Sequence, residues 1–286
     1  MAKLLSDPIT ADDLGKYLET SDFQLELEVF NSFVSHGIRP SHGGTYTDPV
    51  TGKDRQYDIR AEITHGICNL KLAVECKNLK ENFPLLISRV PRLMEEAYHD
   101  VILGRHHSFP VDSGGICKAK GIFRSREPVG KSATQVGKTL PDGKRVETQI
   151  VNSDSETYEK WSQAIASANE LIARSGHASL VTSDTVNAAV IFPILVVPNE
   201  TLWAADYSAD GKLNEKPRQV KDCTLFLGKT VVVRNIKYQI SHLLIFTKST
   251  FDEYLDKLQD HHSDEWEYLF PDGKTLVHYE RDGMLR

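Results

Sequence analysis

The sequence predicts an α/β protein with a mixed central β-sheet flanked by helices. Stretches with apolar residues every three or four positions, typical of helices, alternate with stretches of alternating or continuous apolar residues, typical of strands. Hydrophobic residues make up 40% of the 286 positions and charged residues 26%, as in a globular protein. No internal repeat divides the chain, so a single domain over 1–286 is expected.

The first third of the chain carries the clearest local signals. Residues 10–20 predict a short helix with Thr10 as its N-cap. A second helix begins near residue 22, and its apolar positions follow helical spacing at Phe23, Leu27, Phe30 and Val34. Residues 45–63 predict a β-hairpin that turns around Asp48-Pro49 and Thr51-Gly52. An apolar strand follows at 70–78.

The remaining chain predicts further helices and strands around one irregular segment. Residues 104–150 have no clear period and are rich in Gly, Ser and Lys, which predicts an irregular basic insertion with at most short strands near 116–124. Strands from 187 onward are expected to extend the sheet. The predicted elements are a helix at 84–103, a helix at 154–175, a strand at 187–198, two strands within 230–247 and a helix at 249–260.

Charge and cysteine content limit the class of protein. The net charge of −6 argues against a protein that coats nucleic acid over its whole surface. The four cysteines include no CxxC pair, no apolar run reaches about 18 residues, and the N-terminus lacks a signal-peptide core. A soluble, cytoplasmic protein without a membrane partner is therefore expected.

The segment 111–150 has a local excess of positive charge, with eight Lys/Arg against four Asp/Glu. Such a segment on a neutral body is compatible with contact to a nucleic-acid backbone. A solvated surface loop is the alternative. The candidate phosphate-contacting residues are Lys118, Lys120, Arg124, Arg126, Lys131 and Lys138.

The tripeptide Glu75-Cys76-Lys77 ends an apolar strand and is the most informative short pattern. Strand alternation places Glu75 and Lys77 on one face, with Leu72, Val74 and Cys76 on the other. Cys76 is therefore expected to be a small core residue. Pairing this strand with the preceding one brings Asp58 beside Glu75, and Glu28 lies on the polar side of the second helix. Hard carboxylate oxygens of this kind suit Mg²⁺.

This order of residues resembles the PD-(D/E)xK nuclease superfamily, which has a restriction-endonuclease-like core. The resemblance covers about residues 22–78, and Tyr57 stands where the family name has Pro. It implies that Asp58, Glu75 and the backbone carbonyl of Cys76 bind Mg²⁺, with Mn²⁺ as a substitute. It further implies that Lys77 is catalytic and that Glu28 supports the metal site.

The resemblance predicts a metal-dependent nuclease that hydrolyses phosphodiester bonds. The expected type is a DNA endonuclease that serves restriction, phage defence or repair. Double-stranded DNA is the expected partner, and cutting both strands predicts a homodimer, while the need for an accessory subunit stays open. Two alternatives remain at this point. One is a nuclease-like module that binds nucleic acid or a protein without cutting, and the other is an unrelated α/β interaction protein in which the residues serve only as a solvated face.

Overall fold

A 13-stranded mixed β-sheet forms the centre of the protein in the computed structural model, which describes residues 7–105, 113–139, 149–153, 155–175, 186–233, 236–260 and 263–270. The helices are α1 (Ala11–Leu18), α2 (Phe23–Ser35), α3 (Ser155–Ser175), α4 (Lys248–Gln259) and α5 (Asp264–Leu269), with a 3-10 turn at Met94–Glu96. The α/β class with a mixed sheet is therefore confirmed.

The order of the strands in the sheet differs from their order along the chain, so several connections cross over other strands. They are β1 (Ser41–His42), β2 (Thr45–Thr47), β3 (Asp54–Gln56), β4 (Ile59–His65), β5 (Cys68–Cys76), β6 (Leu85–Pro91), β7 (His99–Arg105), β8 (Ser113–Ala119), β9 (Pro128–Thr139), β10 (Gln149–Ser153), β11 (Val186–Val197), β12 (Leu202–Asp206), β13 (Arg218–Gln219), β14 (Asp222–Val233) and β15 (Ile236–Thr247).

The main path through the sheet runs β1-β4-β5-β11-β15-β14-β9-β6-β12-β13. Strands β5 and β15 flank β11 and run parallel to it, whereas β4 pairs with β5 in antiparallel register. Off this path, β7 joins β11 to β8, and β10 pairs with β9. Strands β2 and β3 form a separate hairpin around the predicted turn, but it ends at Gln56. The later part of the predicted hairpin, up to residue 63, belongs instead to β4, which pairs with β1 and β5.

Helices cover both faces of the sheet around β4 and β5. On one face, α2, α4 and α5 bury a cluster that includes Leu72, Val74 and Cys76. On the other face, Ala73 packs with the α3 side chains Ile165 and Ala168. Strand β5 is therefore covered on both sides, and side chains with the parity of Ala73, including that of Glu75, point toward α3. None of the helices in the described ranges is long and apolar enough to span a lipid bilayer.

The apolar stripe predicted for α2 is not the face that the helix buries. Phe23, Leu27 and Val34 are 51%, 40% and 50% exposed, and only Phe30 of that stripe packs partly against the core. The helix instead buries Leu25, Val29, Ser32 and Phe33. The sequence places two apolar stripes on one helix, and helical periodicity alone does not decide which one meets the sheet.

The helix predicted at 84–103 is wrong, since this segment forms β6, the 3-10 turn and β7. The side chains of β6 alternate: Leu85 and Ile87 are fully buried, and Leu86 and Ser88 are half-buried. This period of two is the pattern of a strand.

The irregular insertion predicted at 104–150 is also wrong where the chain is described, because β8, β9 and β10 belong to the sheet. Its glycines allow close packing and not only loop flexibility. A Cβ on Gly130 would lie 2.6 Å from Ile87 Cγ2, and one on Gly137 would lie 2.5 Å from a ring carbon of Phe83. Residues 106–112 and 140–148 of this segment lie outside the described residues.

Candidate functional site

The antiparallel pairing of β4 and β5 brings Asp58 and Glu75 together. Ile59 lies opposite Val74, so continuing the register by one residue places Asp58 opposite Glu75. The Asp58 backbone N–H donates a hydrogen bond to Glu75 Oε1 at 3.4 Å. The Cys76 backbone N–H donates one to Asp58 Oδ2 at 2.8 Å. The two carboxylates therefore lie side by side, as the predicted strand pairing requires.

A lysine from α3 completes this cluster. The Lys160 ammonium lies 3.0 Å from Asp58 Oδ2 and 3.8 Å from Glu75 Oε2. It also lies 3.6 Å from Asp22 Oδ2 at the start of α2. One ammonium thus contacts three carboxylates, a cluster that the sequence analysis did not identify, because Lys160 is 102 positions from Asp58 and has no motif around it.

Burial and like charge act together on Glu75. Its side chain is fully buried, and this burial, followed by the negative charge of Asp58, raises the pKa of Glu75 well above its ordinary value. Lys160 acts in the opposite direction. Burial disfavours the charged form of Lys160, but Asp58, Glu75 and Asp22 more than offset this effect and raise the pKa of Lys160. Lys160 therefore carries a firmly held positive charge.

An open cavity of about 590 Å³ gives access to this cluster. Asp58 and Lys160 contribute to its wall, and α2 contributes Glu26, whose carboxylate lies 3.2 Å from His42 Nε2. Burial and the charge of Asp58 raise the pKa of Glu26, which His42 and Lys160 partly counteract. The other lining residues are Phe23, Arg55, Gln56, Tyr57 and Gln163. The Glu26 carboxyl group, the His42 imidazole and the Lys160 ammonium group thus line one open cavity.

Glu28, the predicted supporting carboxylate, lies elsewhere. Its exposed side chain accepts a hydrogen bond from Gln24 Nε2 at 3.1 Å and lines a different cavity. Glu26 lies two positions earlier, about 200° around the helix, and faces the carboxylate cluster instead. The helix does supply an acid to the site, but the predicted residue is corrected from Glu28 to Glu26.

Lys77 lies at the edge of the carboxylate cluster, directly after β5. Its backbone N–H donates a hydrogen bond to the Val196 carbonyl at 3.0 Å. Its ammonium lies 3.7 Å from Asp22 Oδ2, the oxygen that Lys160 also approaches. Asp22 therefore connects the predicted lysine with the lysine that contacts Asp58 and Glu75.

Cys76 is a core residue, as strand alternation predicts. Its side chain is fully buried in the cluster beneath α2, and burial raises the pKa of its thiol well above the ordinary value. A thiol in this state is a poor nucleophile. Its backbone N–H orients Asp58, while metal binding through its carbonyl stays a prediction.

The donor chemistry fits a hard divalent cation. Mg²⁺ commonly uses one or two carboxylates and keeps several waters, so it does not need a cage of protein ligands. Asp58 and Glu75 supply two carboxylates, and Glu75 Oε2 has no hydrogen-bond partner among the described residues. Over those same residues, no group of three or more His, Cys, Asp or Glu side chains is arranged to hold a metal. The arrangement therefore fits a two-carboxylate Mg²⁺ site and not a closed structural one.

The six predicted phosphate-contacting residues lie on or near β8 and β9. Lys118 approaches Asp100 Oδ1 at 3.4 Å, and Lys131 pairs with Glu96. The Arg124 guanidinium lies 5.6 Å from the centre of the Tyr268 ring. The others are the exposed residues Lys120, Arg126 and Lys138. Within the described ranges, none of these contacts involves a residue that lines the carboxylate cavity.

Comparison of the chain with protein-family models, with curated proteins and with solved structures found no match in any of the three.

Proposed function

We propose that the protein is a metal-dependent nuclease that hydrolyses phosphodiester bonds, with double-stranded DNA as its substrate. One observation carries this proposal: Asp58 and Glu75 converge from neighbouring strands, with the Lys160 ammonium beside both, at an open cavity. Two carboxylates and an amine in this arrangement match the chemistry of the PD-(D/E)xK resemblance. Lys160, and not Lys77, is the amine closest to Asp58.

Asp58 and Glu75 would hold Mg²⁺ in this mechanism. When bound there, the ion would supply Lewis-acid chemistry that polarises the scissile phosphate and activates the attacking water. Lys160 opposes the rise in pKa that burial and the charge of Asp58 cause at Glu75. From the cavity wall, Lys160 also donates hydrogen bonds toward a phosphate oxygen on which negative charge develops.

Glu26 and His42 supply the groups for proton transfer. The raised pKa of Glu26 brings this carboxyl closer to neutral pH, where a general acid or base is most effective. His42 lies within hydrogen-bonding distance of Glu26 and lines the same cavity. We propose that this pair accepts the proton of the attacking water or donates one to the leaving alkoxide. Asp22 keeps Lys77 and Lys160 close to the reaction.

A cleavage assay with Mg²⁺ on plasmid, linear duplex, single-stranded DNA and RNA tests the proposal. Asp58→Asn and Glu75→Gln preserve shape but remove a ligand charge, so each is expected to reduce the rate by roughly 10³-fold, about 4 kcal/mol of lost transition-state stabilisation. Calorimetric titration with Mg²⁺ gives a second readout, because either variant should bind the ion more weakly.

Asp206→Asn is the matched control for these two variants. Asp206 is also an ion-paired aspartate, bonded to Arg89 at 2.7 Å, but it does not line the carboxylate cavity. Its variant should cleave DNA at the wild-type rate if the loss is specific. Full activity in Asp58→Asn or Glu75→Gln would reject the metal assignment.

A nuclease-like module that binds nucleic acid without cutting is the second candidate. The position of Lys160 favours it, because an ammonium within 3.8 Å of Asp58 and Glu75 offsets part of their charge without a metal. Under this candidate, wild-type protein binds DNA but does not cut it with Mg²⁺ or Mn²⁺. Asp58→Asn and Glu75→Gln would then leave the affinity for DNA unchanged.

A further inference from the structure

A second polar cavity of about 250 Å³ lies beside the carboxylate cavity. Tyr57 contributes to the walls of both. Four cations and one carboxylate line this second cavity, together with Pro40, Ser41, Ala61 and Leu171: they are Arg39, Arg60, Lys71, Arg174 and Glu62. We call it the cationic pocket. Its charge is opposite in sign to the group of carboxylates next to it.

Arg60 holds the pocket together and is not itself available to a ligand. It is 6% exposed and stacks over the Tyr57 ring, with its guanidinium carbon 4.1 Å from the ring centre. Its nitrogens donate hydrogen bonds to Ser167 Oγ at 2.9 Å, to the Ser167 carbonyl at 3.1 Å and to Glu170 Oε2 at 2.9 Å. These bonds fix α3 against β4, so the floor of the pocket is rigid.

The other three cations are available to a ligand at the rim. Arg39 is exposed, and among the described residues no side chain forms a hydrogen bond or ion pair with it. Lys71 lies 3.5 Å from the exposed carboxylate of Glu62, and Arg174 pairs with Glu170. The Lys71 side chain is 16% exposed and its pair with Glu62 is long, whereas the Arg174 side chain is 66% exposed, so an incoming phosphate can compete with the carboxylate at both positions.

Helix α3 lines both cavities along one of its faces. Lys160 and Gln163 line the carboxylate cavity, and Leu171 and Arg174 line the cationic pocket. At 1.5 Å per residue, the 11 to 14 positions between Lys160 and these two residues span about 16–21 Å. Successive phosphates of one DNA strand advance by about 3.4 Å along the duplex axis while they also wind around it, so this distance spans only a few nucleotides.

We propose that the cationic pocket binds a backbone phosphate of the nucleic acid that is cut in the carboxylate cavity, a few nucleotides from the scissile bond. This inference rests on the proposed function and adds the path of the substrate, along the face of α3 and the β1–β4 edge. Arg39, Lys71 and Arg174 make the contact. Tyr57 separates the pocket from the reacting phosphate.

The test is a triple variant, Arg39→Gln/Lys71→Gln/Arg174→Gln, measured for equilibrium binding to duplex DNA in Ca²⁺ over a range of salt. Loss of the one phosphate contact that these three cations make should weaken binding and make the slope of log K against log salt shallower by about 0.9. Lys212→Gln/Lys216→Gln/Lys257→Gln is the matched control, because it removes the same charge from exposed positions outside both cavities. The control should leave the slope unchanged.

Three further measurements separate this inference from its competitors. Hydrolysis of a small aryl phosphodiester should be unchanged in the Arg39/Lys71/Arg174 variant, because such a substrate does not reach the cationic pocket. A third variant, Lys120→Gln/Arg124→Gln/Lys138→Gln, removes the cations predicted from the sequence. If it flattens the salt slope while the Arg39/Lys71/Arg174 variant does not, the substrate follows β8 and β9 and the inference is rejected. Competition with inorganic phosphate adds a further arm, since loss of phosphate binding without loss of DNA affinity identifies a free-anion site and also rejects it.

The outcomes also separate this inference from the proposed function. If wild-type protein neither binds nor cuts nucleic acid, both fail. If it cuts in a Glu75-dependent manner while the Arg39/Lys71/Arg174 variant binds with the wild-type salt slope, only the cationic pocket is rejected. If the triple variant does not fold, the single variant Arg39→Gln replaces it, and it should weaken binding and make the slope shallower by up to about 0.9.

Discussion

Glu75 and His242 are both fully buried and titratable, but their surroundings give them opposite roles. Glu75 on β5 lies beside Asp58, Lys160 and an open cavity. His242 on β15 stacks on Phe123 with ring centres 3.8 Å apart, and neither of its ring nitrogens has a hydrogen-bond partner among the described residues. Burial is thus common to both, but only Glu75 has a counter-charge beside it and neighbours, Asp58 and Lys160, that line an open cavity.

The pKa values of the two groups follow from these surroundings. Burial lowers the pKa of His242 to about 2, assisted by the positive charge of Arg92 and by His99 and Lys131. The imidazole is therefore neutral at every physiological pH and acts as an aromatic core group. Burial raises the pKa of Glu75, but Lys160 favours its ionised form. A buried ionisable group therefore indicates function only where an opposite charge and an open cavity accompany it.

Replacing Lys160 by Met should have the largest effect, because it removes the counter-charge that distinguishes the surroundings of Glu75 from those of His242. It removes the ammonium and leaves Glu75 and Asp58 as uncompensated, largely buried carboxylates, which costs about 3–5 kcal/mol of unfolding free energy at pH 7. Urea unfolding monitored by circular dichroism measures the loss. The double variant Lys160→Met/Glu75→Gln should recover part of it, because only one of the two facing carboxylates remains. A loss below about 1 kcal/mol in Lys160→Met would show that water already compensates the carboxylates.

Replacing His242 by Phe should change how stability depends on pH. A histidine whose folded pKa is depressed binds fewer protons in the folded state, so its contribution to stability is lost as pH falls below the unfolded value near 6.5. Between pH 6.5 and 4.5 this amounts to about 2.3 kcal/mol. The variant should therefore lose less stability than wild type over that range, by about this amount. Unfolding curves at several pH values measure it, and parallel profiles for the two proteins would contradict the neutral imidazole.

Glu75→Gln provides the contrast with the opposite sign. A carboxyl group whose folded pKa is raised binds more protons in the folded state, so wild-type stability falls as pH rises above the ordinary value of about 4.5. The variant should lack this fall. A fall in pH lowers the unfolding free energy through His242, and a rise in pH lowers it through Glu75. Unfolding free energies of the two variants measured over one pH range therefore distinguish the two groups.

Replacing Lys77 by Met should have the smallest effect on stability. Its ammonium lies 3.7 Å from Asp22 Oδ2, a long ion pair that contributes about 1 kcal/mol or less. Unfolding free energy measured beside Lys160→Met gives the comparison. A large loss of DNA cleavage in Lys77→Met without a loss of stability would assign Lys77 a chemical role, as the resemblance implies. A wild-type rate of DNA cleavage in Lys77→Met would instead favour Lys160 as the amine that acts in the reaction.

The carboxylate pair was predictable from sequence because it depends on local strand pairing. Asp58 and Glu75 are 17 positions apart in consecutive strands. Side-chain alternation places Glu75 on the other face of β5 from Leu72, Val74 and Cys76. The turn chemistry around Asp48 predicted the turn between β2 and β3 for the same reason, whereas the predicted second strand of that hairpin belongs in part to β4. These features require only neighbouring residues and the period of a strand.

The remaining site residues were not predictable because they depend on how helices meet the sheet. Lys160 reaches Asp58 only through the packing of α3 on β5, and nothing in the sequence around it marks this contact. Glu26 replaces Glu28 because α2 buries its Val29 and Phe33 face and leaves Leu27 exposed. Similarly, the glycines of β9 resemble those of a loop until Ile87 and Phe83 are seen to pack against them.

The separation of the site residues along the chain implies an order of assembly during folding. Closing the 17-residue separation between Asp58 and Glu75 costs less chain entropy than closing the 102-residue separation to Lys160, by about 1.6 kcal/mol for a flexible chain. Local strand pairing generally precedes such distant contacts. The two acids are therefore expected to meet before the amine arrives, and while Lys160 is absent, their mutual repulsion is relieved by water or by a bound proton. The β4–β5 pairing must thus supply enough stability by itself to hold two like charges together until α3 docks.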